Sequence, residues 1–343
     1  METIVESKYI RLLKEIIKEF VSNHIIIHNP GPKKDIVILS SPRSGSTWLM
    51  EIISAEDKIR YINEPFNRYL LDINDFFPIP ARCNYFYLSG KEKGKLKKYL
   101  YSNKINHFGP SNILNPNWPL YSNRRVLKVI RANALIEWFA QELEMDVIFL
   151  IRHPIPQLLS CMMRGHYPFC KETIYCENEH YIKEINKLRD HFSQYQLKFI
   201  KDIIYNGNDF EKFTLEWCLD NYIPLKVYQS NNNFILLTYE ELLFRTEEVI
   251  EYLAKKLELI NKEVMINRKN KLSRTTNSSS KKTKRMIKKG NALFLIKKWK
   301  KEITIEQEEL IFRILNVFDI NAYKFGSVCP NDELLKFGPI TWE

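Results

Sequence analysis

The sequence predicts an α/β fold, a central parallel sheet of about five strands flanked by helices. Three observations carry that prediction. Short apolar runs at Ile36–Leu39, Val126–Ile130, Val147–Ile151 and Phe234–Leu237 have the length and residue types of buried strands. Helical patterns at Ser46–Ser54, Ala132–Glu144 and Glu240–Leu257 alternate with them, as parallel β-α units require. Val147–Ile151 is almost continuous in Val, Ile, Phe and Leu, which suits a strand covered on both faces.

In chain order, Lys8 to Phe20 has helical periodicity. Ile10, Leu13, Ile16, Ile17 and Phe20 share one side, and Arg11, Lys14, Glu15, Lys18 and Glu19 the other. The mixed signs favour a helix packed on the protein over one lying on a membrane. "NPGPKK" then breaks the chain. Residues 66 to 122 are rich in Asn, Pro, Tyr and Phe, and are expected to form an irregular excursion with short helices, a candidate substrate lid. Residues 273 to 301 are polar and basic, and their default reading is a solvated loop. Ile305 to Phe318 is expected to be a last amphipathic helix, with Thr304 and Gln307 forming a capping box. There is no internal repeat and no clear linker. The expectation is one domain over 1–343, with its core at about 34–325.

A hydrophobic content of 45% in 343 residues allows a sizeable core and argues against global disorder. Lys+Arg 52 against Asp+Glu 41 gives a formal charge of +11, which favours anionic partners: nucleotides, nucleic acid, anionic glycans or an acidic membrane surface. Six cysteines occur without a CxxC pair, and there is neither a signal-peptide pattern nor an apolar run of transmembrane length. The expectation is a soluble, cytoplasmic protein in a reducing compartment.

The most specific stretch is "DIVILSSPRSGSTWLMEII", Asp35 to Ile53. It reads as a strand, a polar turn and a helix. Free N–H groups at a helix N-terminus, with the helix dipole, attract an anion. Ser44, Gly45, Ser46 and Thr47 occupy that position. Gly45 permits close backbone approach, the hydroxyls add donors, and Arg43 adds a cationic fork. The turn resembles a nucleotide-triphosphatase P-loop, but Ser40 stands at its first glycine and Ser46 at its lysine. A kinase with a degenerate P-loop is therefore the enzyme alternative. A second segment, "DVIFLIRHPIPQLLSCM", places Arg152 at a strand's carboxyl end and Ser160 eight residues later. Both can hold one phosphate. An ordinary Ser-rich turn and a surface Arg are the bland alternatives.

Together the two segments resemble sulfotransferases that use 3′-phosphoadenosine 5′-phosphosulfate (PAPS). That family's phosphosulfate loop, P-[KR]-[ST]-G-[ST]-[ST]-W-L, is matched by Pro42, Arg43, Ser44, Gly45, Ser46, Thr47, Trp48 and Leu49. Its 3′-phosphate pair is matched by Arg152 and Ser160, and its V-x-Y-E-[DE]-L strand end by "FILLTYEELL", with Tyr239 and Glu240. The resemblance covers about residues 35 to 260.

It implies that Ser44 to Thr47 bind the 5′-phosphosulfate, that Arg43 neutralises the leaving phosphate, and that Trp48 and Tyr239 lie near adenine. It also implies that Arg152 and Ser160 hold the 3′-phosphate. The cytosolic phenol and steroid branch uses a His base in a K-T-H segment. Here "RVLKVIRANAL" offers Lys128 and Arg131 without a His. "YINEPFN" is similar instead to the Glu-Pro segment of carbohydrate sulfotransferases, and so Glu64 is the expected base. Lys128 and Arg43 are candidates for stabilising the transferring oxygens, with orientation of Glu64 as the other role for Lys128. The cytosolic branch's R-K-G-x-x-G-D-W-K string is absent, and Ser273 and Arg274 are the candidates left for the 3′-phosphate.

The implied co-substrate is PAPS, the implied product adenosine 3′,5′-bisphosphate, and no metal is required. The implied acceptor is a hydroxyl on a small molecule or glycan, most simply a carbohydrate or glycolipid. The ten Lys and Arg between Lys281 and Lys301 could close over the nucleotide, or gather an anionic glycan, lipid headgroup or membrane surface. A nucleic-acid-binding protein is disfavoured because aromatics are not interleaved with that run. A family member that binds PAPS without turnover is the third reading. Cys161, His166, Cys170, Cys176 and His180 lie close in sequence but match no standard zinc spacing.

Overall fold

The computed structural model describes residues 24–66, 88–102, 105, 119–130, 132–164, 178–231, 233–278 and 280–340, with scattered positions between 13 and 21. Seven strands occur among them: β1 (Ile27–His28), β2 (Ile36–Ser40), β3 (Ile59–Asn63), β4 (Tyr121–Ser122), β5 (Arg124–Val129), β6 (Asp146–Ile151) and β7 (Ile235–Thr238). Five form one parallel sheet in the order β3-β5-β2-β6-β7, while β1 and β4 pair apart. All pairings within the five-stranded sheet are parallel.

The central strands are buried on both faces because helices cover both. On β2, Val37 and Leu39 join one core cluster with Phe139, Leu215 and Ile311. Ile36 and Ile38 join the other with Leu49, Ile53, Val249 and Leu253. This period-2 division into two apolar faces explains why these strands read as unbroken hydrophobic runs. Two strands are interrupted by a buried cation, β5 by Lys128 and β3 by Arg60. Arg60 is fully buried and donates to the carbonyls of Pro119, Ile27 and Leu120.

Helical expectations needed several corrections. Ala132–Glu144 is not one α-helix: it holds a 3₁₀ turn at Asn133–Leu135 and a π-helical turn at Trp138–Glu142. Glu240–Leu257 is divided at Arg245 into helices Tyr239–Phe244 and Thr246–Lys256. The basic stretch is no loop; it forms helices Lys281–Lys288 and Ala292–Lys297, the first capped by Ser280. The last helix, Ile305–Val317, has the expected capping box, with Gln307 N–H donating to Thr304 Oγ1 and Thr304 N–H to Gln307 Oε1. Of the 66–122 excursion, helix Gly90–Leu100 is described, while 67–87, 103–104 and 106–118 lie outside the described residues. The N-terminal helical pattern also lies largely outside them, as do Arg131, His166, Cys170 and Cys176. No helix among the described residues is long and apolar enough to cross a membrane.

Candidate active site

The parallel strands all point their carboxyl ends to one edge, and the predicted site residues gather there. Arg43 to Thr47 follow β2, Glu64 follows β3, Lys128 lies near the end of β5, Arg152 follows β6 and Tyr239 follows β7. This is the edge at which open α/β sheets bind ligands. A cavity of about 920 Å³ opens over it, lined by Arg43, Gly45, Ser46, Thr47, Trp48, Glu64, Lys128, Arg152, Ser160, Tyr239 and Ser273 among others.

The turn after β2 is tightly fixed. Gly45 has φ 91, and a Cβ there would lie 2.5 Å from the Tyr239 ring. Glycine is thus required both by the left-handed backbone and by the packed tyrosine. Arg43 also has a positive φ of 68, a conformation that costs energy outside glycine. The Ser44 hydroxyl does not face the cavity: it donates to the Ser41 carbonyl at 2.8 Å and to Gln157 Oε1 at 3.1 Å. Ser46 and Thr47 begin helix Ser46–Ile53, so their amides stand at its N-terminus.

Arg43 and the Arg152–Ser160 pair form one cluster. Arg43 Nε donates to Ser160 Oγ at 3.0 Å, and Arg152 Nη1 donates to the Arg43 carbonyl at 2.7 Å. The Arg152 guanidinium sits over the Tyr239 ring, 4.4 Å from its centroid. Burial and the neighbouring charges of Arg164 and Arg152 depress the pKa of Arg43. Burial, then the charge of Arg152, does the same to Lys298. Cations that crowd one another in this way suit a bound polyanion. Arg152 Nε is buried and has no hydrogen-bond partner among the described residues.

Glu64 has a left-handed backbone, φ 57, fixed by its N–H donating to the Lys128 carbonyl at 2.8 Å. Its side chain accepts from Lys128 Nζ at 2.6 Å. The same ammonium donates to Thr47 Oγ1 at 3.1 Å and to Asn63 Oδ1 at 3.2 Å.

The remaining candidates divide. Trp48 is half-buried and lines the cavity, and its Nε1 has no partner among the described residues. Ser273 is buried at the cavity wall, with its hydroxyl 2.8 Å from Thr276 Oγ1. Arg274 is turned away. Its guanidinium binds Glu51 at 3.3 Å and lies over the Tyr61 ring at 4.6 Å. Glu240 is buried behind the site, accepting from the His153 N–H and the Tyr323 hydroxyl. Cys161 is buried, and that burial pushes its thiol up to about 12. No metal-binding cluster occurs among the described residues.

Sequence reasoning missed Arg164 and Lys298, which also line the cavity, and Gln157, which holds Ser44. Arg164 stands four residues after Ser160, one helical turn on, a spacing that could have flagged it. Lys298 was hidden in a run of lysines with no feature to single it out.

A cation-lined cavity at the sheet's carboxyl edge, with a carboxylate beside the phosphate-type turn, is the arrangement a nucleotide-dependent group transferase needs. The family model "Sulfotransferase domain" matches residues 33–316. The chain belongs to the sulfotransferase family, the class of enzyme that takes its sulfuryl group from PAPS. No curated protein sequence matches it. Among solved structures it is similar to the mouse sulfotransferase SULT7A1 complexed with PAP, at 12% identity and TM-score 0.39, covering 86% of each chain. It is also similar to the sulfotransferase domain from the curacin biosynthetic pathway, at 16% identity and TM-score 0.41, covering 85% of this chain and 99% of that one.

Proposed function

We propose that the chain transfers the sulfuryl group of PAPS to a hydroxyl of a carbohydrate or glycolipid, with Glu64 as general base. The observation that carries this reading is the hydrogen-bonded path Glu64–Lys128–Thr47, which ties a carboxylate to the phosphosulfate turn. The acceptor class rests on the Glu64–Pro65 segment and its likeness to the carbohydrate branch.

In this reading the amides of Ser46 and Thr47 receive the 5′-phosphosulfate at the helix N-terminus. Arg152 and Ser160 receive the 3′-phosphate, with Arg43 between the two anions. Tyr239 and Trp48 flank the base. The acceptor oxygen attacks sulfur in line with the departing phosphate oxygen. Its proton passes to Glu64, the sulfur–oxygen bond to the phosphate breaks, and adenosine 3′,5′-bisphosphate leaves with the electron pair. Arg43 and Lys128 stabilise the charge that shifts onto the leaving and transferring oxygens.

Glu64→Gln tests the assignment. Turnover with PAPS and a sugar acceptor should fall about 10²–10⁴-fold while bisphosphate affinity stays within about twofold. Unchanged turnover would remove Glu64 as the base.

A further inference from the structure

The residue after Arg152 is a buried histidine with no part in the transfer chemistry. His153 is fully buried, and its surroundings specify it atom by atom. Its backbone N–H donates to Glu240 Oε1 at 3.1 Å. Its Nδ1 accepts from the Ile155 N–H at 3.3 Å, capping helix Pro154–Met162, which leaves the proton on Nε2 to donate to the Ser327 carbonyl at 3.1 Å. The ring is stacked on Trp299, with centroids 4.7 Å apart, and meets Tyr323 edge-on at the same separation. The Arg152 carbonyl is held in turn by Trp217 Nε1 at 3.0 Å.

Trp299 is itself 1% exposed, and its indole N–H has no partner among the described residues. Ring packing is therefore its main anchor, and the His153 stack is a large part of that packing. It sits in the short helix Lys298–Lys301, and Lys297, Lys298 and Lys301 all line the cavity. Lys298 is half-buried and lines the same cavity as Arg152. Lys300 ties the segment to Glu308 at 3.4 Å and to the Gly326 carbonyl at 2.8 Å, but these contacts do not act on Lys298, which faces the like-charged Arg152 across that cavity. The buried packing of Trp299 offsets that repulsion.

Resting on the nucleotide reading of the cavity, we infer that His153 and Trp299 are positioning residues. Their stacked rings clamp the basic segment to the sheet, so that Lys298 and Arg152 converge on one anionic group of the nucleotide. Neither ring touches the reacting atoms. Both act through Lys298, and the clamp converts an otherwise mobile lysine into a preorganised ligand.

A double-mutant cycle on affinity for adenosine 3′,5′-bisphosphate tests the clamp. Lys298→Ala and Trp299→Leu should each raise Kd about tenfold, the size expected for one charge-assisted contact. The double variant should be no weaker than the worse single, because both changes remove the same contact. Trp299→Phe, which keeps a stacking ring, should restore affinity to within about threefold of wild type. If Trp299→Leu does not fold, His153→Gln replaces it in the cycle. A Trp299→Leu chain that melts earlier but binds normally would overturn the clamp, and so would a double variant weakened about a hundredfold, the product of the singles. A wild-type chain that does not distinguish the bisphosphate from AMP would overturn the reading of the cavity and the clamp with it.

Discussion

Lys128 holds Glu64 through two contacts at once: its ammonium lies 2.6 Å from Glu64 Oε1, and its backbone carbonyl accepts the Glu64 N–H at 2.8 Å. The pairing is dictated by register, because Asn63, the last residue of β3, lies opposite Lys128 of β5 in the parallel ladder. The next residue, Glu64, turns into the left-handed region and brings its carboxylate back over the ammonium.

Lys128→Met should therefore lower kcat about a hundredfold, by misplacing the base and removing a cation from the transfer site. Nucleotide affinity should weaken no more than about fivefold, because the contact to Thr47 is one among several. Steady-state kinetics with a bisphosphate titration separates the two effects. An equal loss in both would make Lys128 a nucleotide ligand and not a partner of Glu64.

Gly45→Ala should damage the turn. It forces a side chain into φ 91 and against Tyr239 at 2.5 Å, so the tyrosine or the loop must move. The expected cost is at least about 1 kcal/mol of stability, with a marked loss of nucleotide affinity. Gly90→Ala is the control, since a Cβ there meets nothing within 4 Å. Urea melts and a binding titration of the two variants should differ sharply; matching results would mean that the turn is not constrained as described.

At the opposite edge of the sheet, Arg125 grips Asp35 with Nε at 2.8 Å and Nη2 at 2.6 Å. Both side chains are largely buried, so removing one leaves the other unpaired. Arg125→Ala should destabilise the fold by about 3–5 kcal/mol. Replacing both by apolar residues of similar volume should cost less. Denaturant titration of the single and double variants checks this, and an additive double variant would contradict it.

His153 makes stability depend on pH. Burial lowers its pKa to about 3, against an ordinary value of 6.5. Between those values the unfolded chain takes up a proton that the folded chain refuses, so stability falls as pH drops through this window. The slope is at most about 1.4 kcal/mol per pH unit for one histidine. His28, lowered to about 4, adds to the trend, while buried Glu240 and Glu241, both raised, oppose it. The comparison with His153→Gln isolates one group. Its stability deficit relative to wild type should shrink from pH 7 to pH 4.5 in urea melts. A constant deficit would mean that His153 does not titrate in this way.

The sheet was legible because β2, β6 and β7 are apolar on both faces, and β5 is apolar from Val126 to Val129 except at Lys128. β3 was harder to read, since its apolar run is broken by a buried Arg60 whose partners are carbonyls from distant segments. The site was legible where chemistry is local, in the turn Arg43–Thr47 and at Arg152 and Ser160. It was obscure where side-chain direction depends on tertiary neighbours. Ser44 turns inward to Gln157, and Arg274 is captured by Glu51 and Tyr61, neither of which a one-dimensional pattern reveals. The basic run read as a solvated loop because its charges are conspicuous. The apolar contacts that fold it are few: Leu295 and Ile296 close a short apolar run, and Trp299 stands alone between lysines.

The most direct measurement is a thermal-shift titration with adenosine 3′,5′-bisphosphate against AMP, ATP with Mg²⁺ and random DNA, on wild type and Arg152→Ala. At about 100 times its dissociation constant, a ligand stabilises the folded state by roughly 2.7 kcal/mol. The account predicts selective stabilisation of wild type by the bisphosphate, and a loss in Arg152→Ala that is much larger for the bisphosphate than for AMP. Stabilisation by ATP or DNA without a bisphosphate effect, or equal losses for the two adenine nucleotides, would contradict it.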